Sequence, residues 1–214
     1  MTRIPSSEIW SAVHAERAAL VADLEMLAAS AWQTPSLCPT WDVHDVVAHL
    51  VDSAKTTRWS FVRRLVAARF DFDRDNAAGI AREKAADPSV TLGELLAVST
   101  YTRTPPAALA TRLVEAFVHG EDIRRPLGIP GVYPAAHVAA ALAYQVKTGV
   151  SMGGGKERAA GWRLVASDAD FAQGEGPEVG GTAISLLMAV SGRAVDATEL
   201  TGAGAPDFSG ALEQ

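Results

Sequence analysis

Residues 41–51 read Trp41-Asp42-Val43-His44-Asp45-Val46-Val47-Ala48-His49-Leu50-Val51, and their spacing decides the architecture. Asp42 and Asp45 place carboxylates at a helix start, where unpaired N–H groups and the positive end of the helix dipole favour them. Val43, Val46, Val47, Leu50 and Val51 then recur at helical intervals and line one face. The pattern predicts a helix with one buried face, running from residue 42 to about residue 69. His49 sits beside that face.

On the N-terminal side, residues 33–40 carry Pro35 and Pro39 and break the periodicity. Before them, Ser6 or Ser7 caps a first helix in which Ile9, Val13, Leu20, Leu24 and Leu27 are spaced to face a core. On the C-terminal side, residues 71–89 are polar and read as irregular. Helical pattern resumes at Thr91 with Leu92, Leu95 and Leu96, and again after Pro105-Pro106 with Leu113, Val114, Phe117 and Val118. That helix is predicted to stop near Gly128 and Pro130, and a further one to cover residues 134–147. Residues 149–155 are glycine-rich and read as a linker or a long loop. Beyond them, residues 162–166 alternate as a strand, residues 174–181 supply turns, and an apolar helix over residues 182–191 closes on Gly192. The expected class is α+β: a metal-binding helical bundle over residues 1–148 and a small α+β domain over residues 149–214.

The chain has 214 residues, enough for a sizeable core, and 48% of them are hydrophobic. Abundant alanine favours helix. A net charge of −6 speaks against nucleic acid as a partner, because phosphate binding needs clustered positive charge. Arg63, Arg64 and Arg69 are interleaved with other residue types and read as a solvated helix face. A single cysteine, Cys38, rules out an intrachain disulfide and a multi-cysteine zinc site. Residues 1–7 lack the basic-then-apolar pattern of a leader, and the apolar run at residues 135–144 is too short for a bilayer. A soluble, cytoplasmic protein without a membrane partner is expected; the oligomeric state is not legible.

Glu115 and His119 are four residues apart on a helix, so their side chains share a face, and both are ordinary zinc ligands. With His49 from another helix they form a three-ligand set that leaves one metal position open, as catalytic zinc sites do. A Glu–His ion pair and a boundary histidine are the competing readings and stay open at this point. Asp122 is placed to accept an imidazole N–H or to touch a substrate, and a plain polar residue near a helix end is the equal competing reading. His14, His44 and His137 lack comparable partners. Cys38 could be a nucleophile but reads better as a small residue in a Pro-bounded loop, with Trp32 and Trp41 pinning that loop.

The stretch from Trp32 through Leu50, with Ser36-Leu37-Cys38-Pro39-Thr40-Trp41-Asp42 at its centre, resembles the start of the mycothiol-dependent maleylpyruvate isomerase family of the DinB-like superfamily. Glu115-Ala116-Phe117-Val118-His119-Gly120-Glu121-Asp122 and the residues up to Gly128 resemble its second signature. Ser191-Gly192-Arg193 and Leu200-Thr201-Gly202 look like its small C-terminal domain. The resemblance implies a DinB-like four-helix bundle, zinc or another divalent metal on His49, Glu115 and His119, and catalytic assistance from Arg193. It also implies mycothiol as the thiol cofactor or co-substrate and a small electrophile as its partner. The thiolate would either isomerise a substrate such as maleylpyruvate or be transferred to it. Residues 71–89 and 149–158 match no family motif. A hydrolase using metal-activated water and a non-enzymatic binding protein are the alternatives.

Overall fold

The computed structural model describes residues 4–212. The first three residues of the stretch read for a leader lie outside that range. The described residues are α+β, mostly helical, with one four-stranded sheet. Its helices are α1 (Ser6–Leu24), α2 (Val43–Lys55), α3 (Arg58–Ala67), α4 (Phe72–Glu83), α5 (Pro88–Val98), α6 (Ala110–Leu127), α7 (Ala135–Gln145), α8 (Lys156–Ala159), α9 (Ala183–Val190) and α10 (Ala205–Leu212). The strands are β1 (Arg163–Ala166), β2 (Ala172–Gln173), β3 (Glu178–Gly181) and β4 (Leu200–Thr201). Among the described residues no helix is long and apolar enough to cross a membrane.

The chain groups into two compact units. One comprises Trp10–Leu109 and His119–Gly131, and α2 is its centre. Asp42 caps α2 through a reciprocal capping box with Asp45, which explains the sharp start read from the sequence. Val43, Val46, Val47, Leu50 and Val51 are all buried, packed with Leu20, Leu24, Trp32, Leu95 and Ile123. Both α4 and α5 lie against α2.

The second unit contains Ala110–Val118 and the chain from Val132 onward, together with the residues up to Ile9. Its sheet runs β2-β1-β3-β4, with β1 parallel to β3 and the outer pairs antiparallel. Leu164 stands opposite Val179, both buried, and the apolar α9 packs on this sheet and on α7.

Four expectations are corrected. The helix expected to reach residue 69 ends at Lys55, because Thr57 folds back to cap a new helix through a capping box with Ser60. The polar stretch 71–89 is not irregular: it forms α4, capped by Asp71, and the start of α5, which carries Pro88 in its first turn. Arg64 is not solvated; its guanidinium forks between Asp52 (2.8 Å) and Asp75 (2.9 Å). That network replaces an apolar stripe, which is why a helix was hidden in a polar sequence. The glycines at 149–155 form a packed turn rather than a linker. A Cβ on Gly154 would lie 1.9 Å from the Thr148 carbonyl oxygen, and one on Gly155 would lie 2.2 Å from that of Val190.

Candidate metal and thiol site

His49 on α2 and His119 on α6 meet edge to face, with ring centroids 4.9 Å apart. Trp41, just before α2, lies over both, at 5.0 Å from His49 and 6.3 Å from His119. Trp41 therefore does more than pin its loop: it walls the imidazole pair.

Asp122, fully buried one turn beyond His119, accepts the His119 Nδ1–H at 2.9 Å. Its carboxylate also accepts the Cys38 thiol at 3.0 Å. Burial works against charge on His119, but Asp122 and Cys38 outweigh it and raise the pKa. Among the described residues, Cys38, His119 and Asp122 are close enough together to hold a metal ion, their ligand atoms lying within 4.8 Å of one another. Two of their separations, 2.9 and 3.0 Å, have the length of hydrogen bonds, while Cys38 Sγ lies 3.7 Å from Nδ1 of His119. Zinc bonds of about 2.0–2.3 Å would put two tetrahedral ligands roughly 3.3–3.7 Å apart. The two short separations fit donors on a carboxylate, and they commit Nδ1 of His119 while leaving Nε2 as its other donor atom.

Glu115 stands one helical turn before His119 on α6 and pairs with Arg112 at 2.9 Å. Arg193 follows the C-terminal end of α9. Its backbone N–H caps the Met188 carbonyl at 3.0 Å and its Nη1 donates to the Ser191 carbonyl at 2.9 Å. Gly192 takes the left-handed conformation (φ 78°) that this helix end requires. His44 is buried and bonded to Thr91 at 2.8 Å, which gives it a structural role. His14 stacks on Trp10.

A half-open cavity of about 860 Å³ lies elsewhere in the same unit, lined by residues that include Leu24, Trp32, His44, Lys84 and Leu92. Its cation is already spent, since Lys84 binds Asp42 at 3.2 Å and Asp45 at 2.8 Å. Burial, then Lys84, lowers the His44 pKa. The cavity presents no comparable chemistry.

Cys38 is the residue that sequence reasoning missed. Its signal lay in Pro126, four residues after Asp122. A proline there lacks the N–H that would bond the Asp122 carbonyl within α6, so that carbonyl is open to another donor. Leu37 N–H takes it at 3.1 Å, and Cys38 is delivered next to the carboxylate.

A helical α+β protein with a walled histidine pair and a buried carboxylate behind it has the makings of a metalloenzyme. Residues 13–100 match the family model described as Mycothiol maleylpyruvate isomerase N-terminal domain. A crystal structure of the mycothiol-dependent maleylpyruvate isomerase has the same fold at 16% identity, with a TM-score of 0.63 over 96% of this chain and 97% of that one. A histidine-to-alanine mutant of that enzyme matches at 14% identity with the same TM-score and coverage. No curated protein matches the chain.

Proposed function

We propose that this chain is a mycothiol-dependent isomerase or transferase whose divalent metal, zinc, is held by His49, Glu115 and His119. The observation that carries the reading is the imidazole pair, 4.9 Å between centroids, with the outward nitrogen of His119 already bonded to a buried carboxylate. That is how protein sites orient a ligating histidine. Two imidazoles and the carboxylate of Glu115, one turn from His119 on α6, would supply an N, N, O donor set suited to zinc. Bound zinc would favour the thiolate form of a thiol near neutral pH.

The chain's own residues supply the rest. Asp122 keeps the proton on Nδ1 of His119. Trp41 shields the imidazoles from water. Arg193 pairs with a substrate carboxylate, as a guanidinium does through two parallel hydrogen bonds. The hydrolase alternative needs a base free to take a proton from water. Asp122 is engaged by His119 and Cys38, and Glu121 is paired with Arg125 at 2.6 Å. These pairings favour a thiol over water as the nucleophile.

Elemental analysis of the purified protein should find about one zinc per chain, lost in His49→Ala and His119→Ala. Conversion of maleylpyruvate or another small electrophile should require mycothiol and disappear in the same variants. Full metal occupancy in both variants would refute the ligand set. Activity without any thiol would refute the chemistry.

A further inference from the structure

The loop between Thr34 and Asp42 is built to deliver one side chain. Ser36 N–H and Ser36 Oγ both bond the Trp41 carbonyl at 2.9 Å, and Cys38 N–H returns to Ser36 Oγ at 3.1 Å. Thr40 adopts a left-handed conformation (φ 68°) that a β-branched residue seldom takes, so the surrounding bonds hold it there. At its apex the loop docks on α6 twice. Leu37 N–H reaches the Asp122 carbonyl that Pro126 leaves open, and Cys38 Sγ reaches the Asp122 carboxylate. Asp122 has no solvent exposure and Cys38 very little, so water does not compete for either bond.

We infer that Cys38 is a positioning residue: its S–H donates to Oδ2 of Asp122, fixing that carboxylate where it holds His119 by Nδ1 and turns Nε2 to the metal. The hydrogen bond stands on geometry alone, and its consequence for metal binding rests on the function proposed above. The reason is the cost of a buried charge. Each donor a buried carboxylate accepts stabilises its ionised form, and a thiol on the oxygen that already accepts from His119 adds to that and limits its rotation. A thiol is suited to this place because it is small, apolar and a donor. It acts through His119 and has no contact with substrate to make.

The sole cysteine gives one S–H stretching band in the infrared, which reads the bond without any metal. We expect that band at lower frequency than for a thiol without an acceptor, rising in Asp122→Asn, whose neutral amide is the weaker acceptor. An unshifted band, or none at neutral pH, overturns the hydrogen bond. Zinc competition titrations then read the consequence. Cys38→Ala should bind about 10-fold more weakly while remaining folded at the titration temperature, and Cys38→Ser, which keeps a donor, should stay near wild type. Equal affinity in Cys38→Ala overturns the positioning role. Cobalt-loaded wild-type protein should show no thiolate-to-cobalt absorption. A band that Cys38→Ala abolishes makes Cys38 a ligand and overturns the inference. If wild type binds no zinc, the proposed function and the positioning role both fall, and the infrared band alone decides the bond.

Discussion

Glu16, on the buried side of α1, shares the Arg124 guanidinium with Asp23; Arg124 Nη1 bonds Glu16 and its Nε bonds Asp23 at 2.7 Å. Burial pushes the Glu16 carboxyl up from 4.5 to about 7, and the pull of Arg124 only partly offsets it. The sign of the linkage follows. Between about 4.5 and 7 Glu16 holds a proton in the folded chain that it has released in the unfolded one, so its contribution to stability is greatest below 4.5, falls across that window and is lost above 7. Chemical denaturation at pH 5 and pH 8 should show wild type losing on the order of 1–3 kcal/mol more than Glu16→Gln over that interval. Parallel profiles for the two proteins would mean that Arg124 holds Glu16 ionised throughout.

The docking of α4 on α2 turns on Gly79, where helix propensity and packing make opposite demands. A Cβ there would stand 2.5 Å from Oδ2 of Asp52, a side chain already pinned by Arg64 and Arg82. In α5, a Cβ on Gly93 would meet nothing within 4 Å. Propensity alone awards both Gly→Ala changes up to about 1 kcal/mol. We expect Gly93→Ala to raise the melting temperature and Gly79→Ala to cost about 1–3 kcal/mol; a stabilised Gly79→Ala would show that the two helices separate freely. The same contrast explains what the sequence could tell. The α2 start was legible because Asp42, Asp45 and the valines each agree with one helix. The break at Thr57 was not, because Thr and Ser cap a helix only once the chain has turned. Nor was α4, in which Asp75 and Gly79 are buried by charge pairing and close approach rather than by an apolar stripe.

Across the whole molecule, the fold is shared with an enzyme only 16% identical, over nearly the full length of both chains. Buried stripes and helix ends are written in short-range spacing, which is why the α+β class was legible while the Cys38–Asp122 contact, bridging 84 positions, was not. Spacing within one helix predicts neighbours; spacing between helices does not. Arg193 poses the same problem, since its place after an apolar helix suits either a substrate-binding cation or a cap, and its bond to the Ser191 carbonyl is one a cap would make. Arg193→Lys and Arg193→Met separate the roles. As the partner of a substrate carboxylate, Arg193 is worth roughly 10²-fold in turnover, with zinc content and melting temperature unchanged. Lys should recover part of that loss, because it keeps the charge and forfeits the paired geometry. As a cap, Arg193 would instead contribute about 1–3 kcal/mol of stability, and activity would follow the folded fraction. We expect the first pattern, because Gly192 and the Arg193 backbone N–H already close α9 without the side chain. A variant that melts and turns over like wild type would remove Arg193 from the chemistry.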